Sequence, residues 1–169
     1  MLLALTGFPG SGKSSVGREL SALTGWPFTD LDAEVERLAG KNIADIFAED
    51  GEDGFRNLET EALRGFCQAA GEDCLLALGG GSLLRPENAD ILRGRPAKVV
   101  WLEATPENLL TRLMEGTSGT RPLLIGNVQG KLGKLLESRA GHYGSHADIT
   151  VSTNGRNPSE VAAEILRQI

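Results

Sequence analysis

Short apolar runs bounded by turn residues recur along the chain at Leu2–Leu5, Cys74–Leu78, Lys98–Leu102 and Ile149–Ser152, with a weaker one at Pro27–Asp30. Runs of this length without polar alternation suit strands buried on both faces. Helix-period segments fall between them, at Ser14–Leu23, Ala33–Leu38, Ile43–Ala48, Phe55–Ala70, Pro106–Met114, Gln129–Tyr143 and Pro158–Gln168. Strand and helix in alternation predict an α/β fold in which a parallel sheet is covered by helices. Two helix starts are written into the sequence. Asn157 precedes Pro158 and is followed three residues later by Glu160, a capping-box variant, and Thr105–Pro106 repeats the arrangement. The segment from Met114 to Gly133 breaks the pattern with glycines, hydroxyls and a proline, as a mobile lid would.

Bulk properties narrow the classes of function. A chain of 169 residues with 40% hydrophobic content suits one domain with a substantial core. Seventeen Lys and Arg against 23 Asp and Glu leave a net charge of -6, which argues against nucleic-acid or anionic-membrane partners and requires any anionic ligand to be met by locally placed arginines. Cys67 and Cys74 form no CxxC pattern, and no apolar run is long enough to span a bilayer, so a reduced cytoplasmic protein is expected.

The first apolar run opens into "LTGFPGSGKSSVGREL", in which Gly7, Gly12, Lys13 and Ser14 fit G-x-x-x-x-G-K-[ST] with a strand before and a helix after. Glycines let backbone N–H groups converge on phosphate oxygens, and the helix N-terminus adds partial positive charge. Lys13 would reach the β- and γ-phosphates and Ser14 would ligate magnesium. A bound nucleotide serves hydrolases, transferases and switches alike, so the discriminating residues lie downstream.

Four features do so. In "FTDLD", Asp30 and Asp32 at i and i+2 of an extended segment would face one site, one organising magnesium through water and the other accepting a hydroxyl proton; the competing role is capping the helix near Ala33. In "GFRNLETEALRGF", Glu59 falls within the apolar stripe of Phe55, Leu58, Ala62, Leu63 and Phe66, and Arg56 is within reach to pair with it and meet an anionic substrate group. Gly79, Gly80 and Gly81 end a buried strand where open α/β sheets bind ligands. Arg121, Arg139 and Arg156 are isolated positive charges, Arg121 suited to reach the transferring phosphate and Arg139 to clamp a carboxylate.

Taken in order, the Walker loop, "FTDLD", "IADIFAEDGEDGFRNLE", "LGGG", "RPLL", "SRAGHY" and "TNGRNP" resemble the shikimate kinase family over essentially the whole chain. The resemblance implies a three-layer P-loop kinase fold with a five-stranded parallel sheet in order 2-3-1-4-5, a shikimate-binding region at about 31–63 and a mobile lid at about 114–126. It implies transfer of the γ-phosphate of ATP to the 3-hydroxyl of shikimate, with Mg2+ as cofactor, in a monomeric cytoplasmic enzyme of aromatic amino-acid (chorismate) biosynthesis. Lys13, Asp32 and Arg121 would be catalytic, with Asp32 as base. Gly10, Ser11, Gly12, Lys13, Ser14, Ser15, Arg112, Arg121 and Arg156 would bind ATP, with Arg112 and Arg156 flanking the adenine. Asp32, Arg56, Arg139 and the Gly79–Gly81 backbone would bind shikimate, Glu59 would orient Arg56, and Ser14 with Asp30, through water, would hold the metal. "DLD" stands where DTD is commoner, Ser15 where Thr is usual, and Gly141 where Pro is frequent. His142 and His146 lack a third ligand and are read as surface residues. A kinase for another small molecule such as gluconate, or a non-catalytic nucleotide-binding module, would share the Walker loop.

Overall fold

The computed structural model describes residues 1–115 and 128–169. Five parallel strands, β1 (Leu2–Thr6), β2 (Phe28–Asp30), β3 (Cys74–Ala77), β4 (Ala97–Glu103) and β5 (Ile149–Ser152), form one sheet in the order β2-β3-β1-β4-β5. This is the expected order. Seven helices accompany them among the described residues: α1 (Lys13–Thr24), α2 (Leu31–Ala39), α3 (Ile43–Ala69), α4 (Pro86–Arg93), α5 (Pro106–Glu115), α6 (Val128–His146) and α7 (Pro158–Gln168).

Both faces of the sheet are covered, so the strands read as unbroken apolar runs. In β1, Leu2 and Ala4 join a core with Leu31, Val35, Ile46, Leu63 and Leu76, while Leu3 and Leu5 point the other way to meet Val16, Leu20, Val161 and Ile165. A third cluster, Phe8, Leu109, Leu132 and Tyr143, packs α5 and α6 against the first loop. No helix among the described residues is long and apolar enough to cross a membrane.

Three elements differ from the pattern-based expectation. Helix α4, together with a 3-10 turn at Ser82–Leu84, escapes detection because its eight residues bury little beyond Asn88, Ala89 and Leu92, too few for a periodic stripe. The helices expected at 43–48 and 55–70 form one run, α3, broken at Gly51 (φ 70°, ψ −174°), and the rings of Phe47 and Phe55 pack 4.8 Å apart across the break. Helix α2 begins at Leu31, not Ala33, so Asp32 sits in its first turn and outside any strand. The expected lid at 114–126 falls, apart from Met114 and Glu115 at the end of α5, outside the described residues.

The capping box of α7 is complete: Asn157 Oδ1 accepts from the Glu160 amide at 2.9 Å, and Glu160 Oε2 accepts from the Asn157 amide at 2.9 Å. Asn157→Ala is expected to cost about 1 kcal/mol and, for a chain of this size, to lower the melting temperature by roughly 2–4 °C; an unchanged melting temperature would deny the cap its role.

Candidate active site

The loops that follow β1, β2, β3 and β5 gather at the carboxyl edge of the sheet, where open α/β folds bind ligands. After β1 the chain turns through Gly7 (φ 145°), Gly10 (φ 89°) and Gly12 (φ 94°) before α1 starts at Lys13. Gly7 has no room for a side chain, since a Cβ there would lie 2.7 Å from Leu102 O and 2.8 Å from Ser11 Oγ. Lys13 Nζ donates to Gly7 O at 2.8 Å and to Phe8 O at 3.2 Å, so the ammonium closes the loop across its middle.

Two clefts meet at this loop. The larger, about 370 Å³, is lined by Gly10, Lys13, Ser14, Asp30 and Asp32 among others. The smaller, about 160 Å³, is walled by Ser11, Thr153, Arg156 and Pro158, and Gly12, Ser15 and Arg112 line both. The sequence-predicted nucleotide set thus converges, except for Arg121, which lies outside the described residues. Arg112 does more than border the smaller cleft: its guanidinium donates to Thr153 Oγ1 (3.0 Å), Thr153 O (2.8 Å), and the Gly10 and Ser11 carbonyls (3.4 Å each). It therefore braces the phosphate loop to the end of β5. Arg156 is held by Ser152 O (3.2 Å), Glu160 O (3.1 Å) and Glu164 (3.1 Å).

Asp30 and Asp32 reach the same cleft by a route other than the predicted one. Asp30 ends β2 and caps α2, its Oδ1 accepting from the Asp32 amide at 3.1 Å, while its Oδ2 accepts from Ser14 Oγ at 2.5 Å. The capping role of this aspartate is met, and the same carboxylate also lines the cleft. The hydroxyl and carboxylate so paired at the mouth of a phosphate cleft are hard oxygen donors of the kind magnesium takes alongside phosphate oxygens and water.

The acceptor side is built on Gly79–Gly81. A Cβ on Gly79 would come within 3.0 Å of Asp32 Oδ1 and Ser82 Oγ and closer still to Glu59 Oε1; one on Gly80 would meet Pro9 Cδ at 2.7 Å; one on Gly81 would collide with the Arg56 guanidinium. The glycines are needed because the protein's own site residues press against them. Arg56 (7% exposed), Glu59 (0%) and Arg139 (4%) are all buried here. Glu59 Oε2 accepts from Arg56 Nη1 at 2.9 Å, and Arg56 also lies 3.6 Å from the exposed Glu52. Arg139 donates to Gly80 O at 3.3 Å, stands 5.7 Å over the Phe8 ring, and forms no ion pair among the described residues.

Sequence reasoning assigned no role to Ser82, Tyr143 or Thr153. Tyr143 follows Arg139 by one helical turn on α6, and its hydroxyl donates to Gly80 O at 2.5 Å, the carbonyl that Arg139 also uses. The i, i+4 spacing was the available indication. Burial raises the Tyr143 phenol to about 12, with Arg139 opposing the shift. His142 is exposed, and His146 is half-buried 3.5 Å from Arg93, its imidazole pKa lowered by burial, Arg93 and His142.

The family model described as Shikimate kinase matches residues 9–169. The shikimate kinase of Symbiobacterium thermophilum is 42% identical over 100% of this chain and 96% of its own length, and that of Thermus thermophilus is 45% identical over 99% and 89%. Among solved structures, the shikimate kinase from Acinetobacter baumannii in complex with shikimate is 36% identical, covering 99% of this chain and 91% of that one with a TM-score of 0.91. A gluconokinase from Sinorhizobium meliloti, 19% identical with a TM-score of 0.57 over 98% of this chain and 89% of that one, shares the fold alone.

Tyr143 is the only tyrosine of the chain, so its titration can be read without interference from others. Because its folded pKa is raised above the usual 10.0, folding gains stability from it that is complete below pH 10 and is lost as pH rises toward 12. Phenolate absorbance is expected to appear only near pH 12 or with unfolding, and denaturant midpoints to fall between pH 10 and 12; a titration at pH 10 in the folded protein would contradict this placement.

Proposed function

The chain belongs to the shikimate kinase family, and from that premise we propose that it transfers the γ-phosphoryl group of ATP to the 3-hydroxyl of shikimate, giving shikimate 3-phosphate and ADP. The observation that carries the reading from this chain's own residues is Arg139. It is a buried guanidinium without an ion pair among the described residues, beside a second guanidinium, Arg56, that has a single buried carboxylate partner. Burying a charge unpaired costs several kcal/mol, so the arrangement favours a substrate that brings its own carboxylate.

Each residue then has a task. The backbone of Gly10, Ser11 and Gly12, with Ser15, cradles the phosphates at the start of α1, and Arg112 and Arg156 border the smaller cleft suited to the nucleoside. Lys13, already over the loop, supplies positive charge where the β- and γ-phosphate oxygens gather. Ser14 directly and Asp30 through water would hold Mg2+, which when bound offsets the charge of the phosphates. Arg56 and Arg139 grip the carboxylate of shikimate, Glu59 orients Arg56, and the Gly79–Gly81 backbone forms the floor. Asp32 takes the proton of the 3-hydroxyl as the new O–P bond forms and the bond to ADP breaks. Arg121 is assigned to the transferring phosphate on its sequence context. A monomeric cytoplasmic enzyme with two small-molecule substrates completes the proposal, and the net charge of -6 supports the absence of a nucleic-acid or membrane partner.

A gluconate-directed kinase and a non-catalytic nucleotide module are not favoured: the gluconokinase likeness extends to the fold only, whereas the shikimate kinases of Acinetobacter baumannii and Thermus thermophilus match at 36% and 45% identity over 99% of the chain. In an assay coupled to ADP release, ATP with magnesium and shikimate is expected to turn over, and gluconate to give background only; folded protein without shikimate turnover would refute the assignment. Asp32→Asn is expected to keep ATP affinity while lowering kcat by roughly 10²- to 10⁴-fold. Wild-type kcat in that variant would remove Asp32 from proton transfer.

A further inference from the structure

Ser82, the first residue after the three glycines, is fully buried at the start of the 3-10 turn. Its amide donates to Gly79 O at 3.1 Å and its carbonyl accepts from Asn88 Nδ2 on α4 at 2.8 Å. These two bonds fix the backbone of the residue and hence the direction of its side chain. The hydroxyl donates to Glu59 Oε1 at 2.5 Å.

Glu59, fully buried, is thereby satisfied at both oxygens, at Oε2 by Arg56 and at Oε1 by Ser82. The two donors differ in what an incoming anion does to them. Arg56 is a cation with a fork of N–H groups, and a substrate carboxylate competes with Glu59 for it. Ser82 is neutral, and its hydroxyl goes on donating to Glu59 when an anion arrives. A carboxylate held at one oxygen by a group the substrate does not draw away keeps its place, and so does the guanidinium leaning on its other oxygen.

We propose that Ser82 is a positioning residue for substrate binding: by fixing Glu59 Oε1 it holds the Arg56 guanidinium in the orientation that receives the substrate carboxylate. Asn88 acts one step further back by fixing the turn that carries Ser82. The proposal rests on the assignment of shikimate as substrate and adds a residue that neither the sequence motifs nor the first contacts of the arginines single out.

Steady-state kinetics and calorimetric titration of Ser82→Ala, Ser82→Thr, Arg56→Lys and the Ser82→Ala/Arg56→Lys double variant test it. Ser82→Ala is expected to raise the KM and Kd for shikimate about tenfold, as loss of one hydrogen bond to a buried charge would, with the KM for ATP and kcat changed no more than about threefold. Ser82→Thr keeps the hydroxyl and is expected to recover most of the loss. In the Arg56→Lys background, where the planar fork is gone, Ser82→Ala is expected to add little. Unchanged shikimate affinity in Ser82→Ala, equal rises in both KM values, or full additivity in the double variant would overturn the proposal; if the threonine does not fit, the double variant decides alone. Absence of shikimate turnover in the unaltered chain would instead refute the assigned function, so the two failures are distinguishable.

Discussion

Glu59 holds a carboxylate where no water reaches it, and the acceptor side of the site is arranged around satisfying that charge. An unpaired buried carboxylate would cost several kcal/mol, so Arg56 and Ser82 must approach it closely. Close approach is possible because β3 ends in three residues without side chains: Glu59 and Asp32 lie over Gly79, and the Arg56 guanidinium over Gly81. The middle glycine serves a different partner, the phosphate loop, whose Pro9 packs against Gly80. The same backbone segment therefore lies against Glu59, Asp32 and Arg56 on one side and the glycine loop on the other.

A second brace joins the donor side to the far edge of the sheet. Arg112 reaches from α5 to the Gly10 and Ser11 carbonyls and to both oxygens of Thr153. Tyr143 and Arg139 tie α6 to Gly80 O. Both helices flank residues 116–127, so the elements on either side of that stretch are anchored directly to the two halves of the site. Phosphoryl transfer asks mainly for positioning and preorganised charge, and this network provides both with residues from five loops and helices.

Much of the fold was legible in the chain. Strands buried on both faces leave unbroken apolar runs, and the glycine loop with its flanking strand and helix declares itself within twenty residues. Helix α4 was not legible, because eight residues with three buried positions make no stripe. The aspartates show how a correct destination can follow from a wrong local geometry: the extended-backbone rule puts Asp30 and Asp32 on one side, whereas the chain turns into α2 at Leu31 under the Asp30 cap, and both still line the cleft. Glu59 stood out as a charge in an apolar stripe, and its burial follows from that position. Ser82 and Thr153 could not be found by pattern, since their partners, a carboxylate 23 residues away and an arginine 41 residues away, are brought near only by the sheet topology.

In the proposed reaction shikimate would lie with its carboxylate on Arg56 and Arg139 and its 3-hydroxyl at Asp32, in line with a phosphate held by the glycine loop. A crystal structure of this chain with ADP and shikimate bound together measures that orientation. Carboxylate oxygens are expected within about 3 Å of both guanidinium groups and the 3-hydroxyl within about 3 Å of an Asp32 oxygen. A shikimate bound with its hydroxyls toward Arg139 and its carboxylate toward Asp32 would contradict it.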